Sequence, residues 1–283
     1  SLSFDGQSNY ISLQTNENLQ FINNEITFTA WVKIPSDHID NQYSTIIGGR
    51  SGFGFTLWAG GSFDNGAIRL NICCQYPSEV SGNFDLRDDQ WHFISVLYDG
   101  TKYKIYVDGN LDAESNEFST NLTVYDGDDD IKIGIVNHEE TNEYFHGQLD
   151  EIGFWNRALT NDEIINYSST LLNGNEDGLV GYWSFNEGEG SILTDLSGNG
   201  NDGTIYGATW SDDGSPVQSL EELDTIATIT LSEVDAYIFP GYIGDTALVA
   251  VNANLGDIDL YSSEMHFTGF QGVLGFEGIV TEG

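Results

Sequence analysis

The residues with the clearest chemical potential are two neighbouring acids, Asp150 and Glu151, in the segment "GQLDEIGFWNRALTNDEII". Retaining hydrolysis of a glycosidic bond uses two carboxyl groups about 5 Å apart, placed on the two sides of the scissile bond. The segment begins as a strand, and neighbouring residues of a regular strand point to opposite faces of the sheet. The two acids therefore cannot flank one glycosidic bond, and the chain is predicted not to be an enzyme.

Histidines offer no other catalytic site. No metal-ligand spacing and no Ser-His-Asp arrangement connects the five, which are His38, His92, His138, His146 and His266. His92 follows Trp91 in a predicted strand, where we expect it to pack or to form a hydrogen bond at the sheet edge.

Loops rich in Asp, Asn and Gly offer oxygen ligands for a hard cation such as calcium, which takes about six to eight of them. The segment "FDGQSN" contains Asp5, and "DLSGNGND" places Asp195, Asn199 and Asp202 in one loop. Such side chains also bond to their own backbone in turns, and for "DLSGNGND" the turn is the favoured interpretation. No twelve-residue calcium loop that ends in Glu is present.

Aromatic residues outside the predicted strands are candidates for a carbohydrate site, because a sugar ring stacks on an exposed aromatic ring. Most of the 6 Trp, 14 Tyr and 16 Phe alternate within strands and belong to the core. The candidates that fall in predicted loops are Tyr43, Trp58, Phe63, Tyr76 and Tyr144. Packing in the core or at its rim is the alternative for each of them.

The elements that position these residues are short strands. Apolar runs such as "ITFTAWVKI" and "AIRLNICC" recur between Gly, Asn and Asp, and "WHFISVLYDGTKYKIYVDGNL" predicts a hairpin. Thr160 and Glu163 form a capping box that predicts one short helix. Together they predict an all-β antiparallel jelly-roll sandwich with one short capping helix, with Ile152 and Phe154 facing the core. Arg157 is expected to anchor the turn before the helix by pairing with a carboxylate such as Asp150 or Asp162.

Three regions are predicted along the chain. Residues 1–210 form the jelly roll, residues 211–223 contain Pro and lack periodicity and so form a linker, and residues 224–283 form a second, partial β-sandwich. An incomplete sheet exposes backbone donors and acceptors along its edge. A strand from another chain could complete that edge, which would make the protein a structural subunit of a filament or surface assembly. The simpler alternative is that the tail begins a further module of a longer protein.

The ordered segments "LSFDGQSNYISL", "ITFTAWVKI", "QWHFISVLYDGTKYKIYVDGNL" and "FHGQLDEIGFWNRALTNDEI" resemble the bacterial laminin-G-like, concanavalin A-type jelly-roll domains. The last stretch, with "GDT" before "VAVNAN", is similar to the start of a cohesin-type sandwich. The resemblance implies a binding or adhesion module that recognises glycans, with structural calcium at the sandwich rim near Asp5 and Asp150. Glucanases of this architecture carry an E-x-D-x-x-E strand, which this sequence lacks.

Charge and composition limit the partners. Eight Lys and Arg against 45 Asp and Glu give a net charge of −37, which repels nucleic acid and anionic lipid. No apolar run is long enough to span a membrane. The only two cysteines, Cys73 and Cys74, are adjacent, and their side chains point apart unless a strained bridge forms at a turn. We therefore expect a secreted or cell-surface protein whose partners are an extracellular glycan, a cell-surface protein or further copies of itself.

Overall fold

The computed structural model describes residues 1–13, 19, 22–23, 25–38, 44–48, 55–59, 65–72, 79–117, 122–123, 131–137 and 142–217. The chain divides into two compact units, Ser1–Asp224 and Thr225–Gly283. The second unit, to which the cohesin-like prediction applies, lies outside the described residues, as do Cys73 and Cys74.

The first unit consists of short strands and one helix. The strands are β1 (Leu2–Asp5), β2 (Tyr10–Leu13), β3 (Ile22–Asn23), β4 (Ile26–Lys33), β5 (Thr45–Gly48), β6 (Phe55–Ala59), β7 (Ile68–Ile72), β8 (Glu79–Ser81), β9 (Trp91–Tyr98), β10 (Tyr103–Val107), β11 (Asn110–Glu114), β12 (Leu122–Thr123), β13 (Lys132–Ile133), β14 (Ile135–Asn137), β15 (Asn142–Tyr144), β16 (His146–Trp155), β17 (Leu179–Trp183), β18 (Ile192–Leu193), β19 (Gly203–Tyr206) and β20 (Thr209–Trp210). The helix α1 spans Asn161–Tyr167. Among the described residues, no helix has the length and apolar character that crossing a membrane requires.

Two antiparallel sheets form the sandwich. Sheet A has the order β11-β10-β9-β4-β16-β1-β20, with β17 paired to β16, and sheet B has the order β18-β19-β2-β13-β5-β6-β7-β8. The predicted hairpin is confirmed, because β9 pairs with β10 and β10 pairs with β11. The predicted all-β antiparallel jelly-roll sandwich with one short helix is thus confirmed.

The main core lies between the two sheets. Alternate residues of sheet B, such as Ile11 and Leu13 of β2, meet Ile152 and Phe154 of β16, and all four are at most 2% exposed. The prediction that Ile152 and Phe154 face the core is confirmed. Fully burying such a side chain contributes about 1.5–3 kcal/mol, so this period-two pattern determines which face of each strand points outward.

Helix α1 covers part of the outer face of sheet A. Its buried Ile164 packs with Trp155 and Tyr182 in a second apolar cluster, and Thr160 forms the predicted capping box with Glu163. The predicted pairing of Arg157 with a carboxylate is confirmed, but the partner is Glu163, 2.6 Å from Nη2 to Oε1, and not one of the two acids given as examples. The helix itself supplies the partner, because the capping box brings the Glu163 carboxylate back to the turn.

The segment after β20 also contacts sheet A. Asp213 accepts a hydrogen bond from Lys33 Nζ at 2.7 Å, and the Ser215 amide donates to Asp150 Oδ2 at 2.8 Å. Val217 packs against the second apolar cluster. The packed part of the first unit therefore extends past Trp210, into residues that the sequence assigns to a linker.

Candidate functional site

The outer face of sheet B displays a row of polar and aromatic side chains. On β2, β13 and β19 the core-facing residues are Ile11, Ile133 and Ile205, and the alternate positions point the other way. Those alternate positions form what we call the tyrosine face, which consists of Tyr10, Ser12, Lys132, Thr204 and Tyr206. Strand pairing places Ser12 opposite both Lys132 and Thr204, and Tyr10 opposite Tyr206.

Two stacked rings form the centre of the tyrosine face. The ring centroids of Tyr10 and Tyr206 lie 4.7 Å apart and the rings are 14° from parallel. Tyr206 is 46% exposed, whereas Tyr10 is half-buried. Burial, followed by the nearby phenol groups of Tyr206 and Tyr144, raises the pKa of Tyr10. The Tyr10 hydroxyl group is therefore neutral at pH 7 and can donate a hydrogen bond.

A lysine lies beside this pair. The Lys132 ammonium is 5.8 Å from the centroid of the Tyr10 ring, a distance at which a cation is attracted to the ring face. On β5 the residue opposite Lys132 is Gly48, and a Cβ there would lie 3.2 Å from Val136. The glycine thus allows the β14–β15 hairpin, which contains Tyr144, to pack next to the tyrosine face.

Trp58 differs from its predicted environment. It lies in strand β6, not in a loop, and is 7% exposed. Its Nε1–H donates to Glu143 Oε2 at 2.7 Å, and the Arg69 guanidinium is 5.8 Å from its ring centroid. Arg69 in turn pairs with Glu79. Protein groups enclose the indole, so the predicted placement of Trp58 in a loop is wrong.

The other predicted carbohydrate residues have mixed outcomes. Tyr144 is half-buried at the end of β15, close enough to Tyr10 to affect its pKa. Tyr43, Phe63 and Tyr76 lie outside the described residues.

The acidic pair on β16 lies on one face of its sheet, contrary to expectation. Asp150 pairs with Trp31 of β4, and the next paired residue of β16, Gly153, pairs with Thr29. From one pair to the next, β16 therefore advances by three residues and β4 by only two. This extra residue is a β-bulge, in which Glu151 has a φ of 47°. Leu149 and Ile152 both remain in the main core, so Asp150 and Glu151 both point to the outer side of sheet A.

Both acids are nevertheless covered, since Asp150 is 3% and Glu151 8% exposed. Glu151 accepts hydrogen bonds from the Tyr182 hydroxyl and from Asn186 Nδ2, the latter at 3.3 Å. Burial raises the pKa of Glu151 to about 8, and the Asp150 carboxylate adds to this rise. Burial also raises the pKa of Asp150.

A small cavity of about 10 Å³ borders Glu151, and its other lining residues are Thr29, Trp31, Phe93, Tyr167, Thr170, Leu171, Leu172 and Val217. The lining is mainly apolar, and most of it comes from the region after α1 and from the second apolar cluster. The acids therefore lie beneath packed structure rather than along an open substrate groove.

The predicted calcium ligands of the "DLSGNGND" loop form hydrogen bonds with protein groups. Asp195 accepts backbone N–H bonds from Tyr182 and Ser197 on Oδ1 and from Asn201 on Oδ2, each 2.9–3.0 Å long. Asp202 accepts from the Asp195 amide, and Asn199 donates to Leu179 and Val180 carbonyls.

Asp5 behaves in the same way, because its Oδ1 accepts from the amides of Gln7, Ser8 and Asn9. It pairs across the sheet with His146, four residues before Asp150, so these two acids do not meet. Within the described ranges, no group of three or more His, Cys, Asp or Glu side chains is arranged to hold a metal ion. Asp5 and Asp195 thus stabilise turns through backbone amides, and structural calcium stays a prediction.

Comparisons with known proteins agree with this architecture. The model of the concanavalin A-like lectin/glucanases superfamily (Laminin_G_3) matches residues 5–165. No curated protein sequence matches the chain. A proposed carbohydrate-binding protein from Bacteroides ovatus superposes with a TM-score of 0.58 at 20% identity. The match covers 77% of this chain and 62% of the Bacteroides ovatus protein.

Two further solved structures match more weakly. A heptameric SAP-like pentraxin from Limulus polyphemus has a TM-score of 0.49 at 13% identity, over 72% of this chain and 93% of its own. A carbohydrate-binding module, CBM40, of a Ruminococcus gnavus sialidase has a TM-score of 0.45 at 16% identity. The match covers 59% of this chain and 94% of the module's chain.

Proposed function

Because the chain belongs to the concanavalin A-like lectin/glucanase superfamily, we propose that it is a non-catalytic, extracellular glycan-binding module whose ligand lies on the tyrosine face. The proposed carbohydrate binding of the Bacteroides ovatus protein, which shares the fold, supports the same class of ligand.

The stacked pair of Tyr10 and Tyr206 carries the proposal. An exposed aromatic surface attracts the apolar C–H face of a sugar ring, and the polar groups around it accept or donate hydrogen bonds to the sugar hydroxyls. Ser12 and Thr204, which pair across the strands, provide such groups beside the rings. On sheet A the corresponding outer face is instead covered, in part by α1.

The environment of the acids supports a non-catalytic role. A glycosidase needs its two carboxyl groups on opposite sides of an accessible bond. Asp150 and Glu151 are adjacent, on one face and at most 8% exposed. Structural calcium, predicted near Asp5 and Asp150, stays part of the proposal, although Asp5 and Asp195 also accept hydrogen bonds from backbone amides.

The proposal is tested by screening the full chain on a glycan array, followed by titration of the best ligand. Tyr206→Ala should lower the affinity at least fivefold, because the most exposed ring of the pair is lost. Leu111→Ala is the matched control, since Leu111 is 52% exposed on β11 of the other sheet. Absence of binding to any glycan at high protein concentration, or equal affinities for the two variants, would overturn the proposal.

A further inference from the structure

The basic residues of this chain are few, and nearly all of them that the structure describes are neutralised. Of the eight Lys and Arg residues, Arg50 lies outside the described part. Six of the remaining seven pair with a carboxylate, and these are Lys33, Arg69, Arg87, Lys102, Lys104 and Arg157. Lys132 is the one described basic side chain for which the structure shows no ion pair.

This lack of a partner is notable in a chain with 45 acidic residues. The Lys132 ammonium lies instead beside the Tyr10 ring, on the tyrosine face. Its direct neighbours across the strands are Ser12 and Gly48, neither of which carries charge. An uncompensated cation is thus placed next to the aromatic surface on which the ligand is proposed to stack.

We infer that the ligand is an acidic glycan, one whose sugar carries a carboxylate or a sulfate ester that pairs with the Lys132 ammonium. This inference rests on the proposed function and specifies its ligand class. A hydrogen bond between an ammonium and a carboxylate or sulfate is charge-assisted and roughly twice as strong as a neutral one. Because Tyr10 stacks on Tyr206 and Lys132 lies over the Tyr10 ring, a sugar that lies across the edges of both rings would be next to the Lys132 ammonium.

The net charge of −37 opposes an anionic ligand only at long range. At physiological ionic strength, charges farther than about 8 Å are largely screened. Among the residues that make up the tyrosine face, Lys132 is the only charged one, so its ammonium is the first charge that a ligand bound there meets.

The test is calorimetric titration of the full chain with three matched oligosaccharides. One ends in glucuronic acid, one in glucose and one in a sulfated glucose, which separates the carboxylate from the sulfate ester. The wild type should bind at least one of the two acidic probes about tenfold more tightly than the neutral probe. Lys132→Met should abolish that preference, and Lys132→Arg should restore most of it. Lys102→Met is the control, since Lys102 pairs with Glu114 on sheet A.

The outcomes separate this inference from the proposed function. Equal wild-type affinity for acidic and neutral probes, or a preference that survives in Lys132→Met, would overturn the acidic-glycan inference alone, provided that Tyr206→Ala still weakens binding. Failure of all glycans to bind would overturn the proposed function. A loss of binding in Lys132→Met that Lys132→Arg does not restore would also contradict the role of the charge.

Discussion

Trp58 donates its indole N–H to the Glu143 carboxylate across 2.7 Å, and Glu143 is itself only 8% exposed. This bond connects β6 to the β14–β15 hairpin. Trp58→Phe should therefore destabilise the fold by about 2 kcal/mol, because a buried carboxylate loses a donor. Glycan affinity should stay within twofold of the wild type. Chemical denaturation and titration of the same samples measure both quantities.

Trp210→Phe is a suitable control for this prediction, since the Trp210 indole bonds to the Gly190 carbonyl at an exposed position. It should cost less stability than Trp58→Phe. A Trp58→Phe variant with native stability and tenfold weaker glycan binding would instead support the sequence-based role of Trp58 as a stacking residue.

Glu151 should make the protein less stable as the pH rises. Its pKa is about 8 in the folded protein and 4.5 ordinarily, so between these values the folded state holds a proton that the unfolded state has lost. The contribution of this proton to the free energy of unfolding is fully present below about pH 4.5. It is lost as the pH rises to about 8, and the loss amounts to up to a few kcal/mol. Glu151→Gln should remove this decrease and become more stable than the wild type at pH 8, which melting curves from pH 5 to 8.5 would reveal. An equal loss of stability at every pH would contradict it.

His92 should contribute stability at lower pH. Its Nδ1 lies 2.7 Å from Asp108 and its Nε2 3.1 Å from Asp88, and Asp108 first, then Asp88, raises the His92 pKa above its ordinary 6.5. The contribution is complete below pH 6.5 and is lost as the pH rises through the higher folded value. His92→Gln should lower the free energy of unfolding by about 1–2 kcal/mol at pH 6, with a smaller difference at high pH. A difference that is constant with pH would rule out the charged histidine.

Asp195 distinguishes a turn from a calcium site. Because its carboxylate binds three backbone amides, Asp195→Ala should destabilise the protein by about 2–3 kcal/mol both with calcium and with a chelator present. Thermal melts under the two conditions check this. A wild-type midpoint that falls on chelation, with no such fall in Asp195→Ala, would place an ion at this loop after all.

The period-two pattern was sufficient to predict the sandwich, the β9–β10 hairpin and the core positions Ile152 and Phe154. It failed at Glu151, because a bulge inserts one residue and reverses the alternation. The local sequence "LDEIG" carries no strong sign of the positive φ that Glu151 adopts. The sequence did predict that Arg157 pairs with a carboxylate, but it could not identify Glu163, which the capping box with Thr160 brings back to the turn.

The sequence pattern predicted sugar-binding aromatic residues in loops, whereas the stacked pair that we propose, Tyr10 and Tyr206, lies in strands. Tyr10 and Tyr206 lie in "NYISL" and "GTIYG", where alternation with Ile11 and Ile205 already indicates that they point away from the core. That signal could have identified each ring. It could not have shown that β2 and β19, about 190 residues apart in the chain, pair and bring the rings together.

The most direct test of the account follows the tyrosine ring signals of the full chain by NMR, with labelled tyrosine, as the best glycan from the array is added. The account predicts that the signals of Tyr10 and Tyr206, assigned through Tyr10→Phe and Tyr206→Phe, shift with increasing ligand. The signal of the core residue Tyr98, which is 0% exposed on sheet A, should stay in place. Saturable binding that leaves the Tyr10 and Tyr206 signals unchanged would contradict the proposed site.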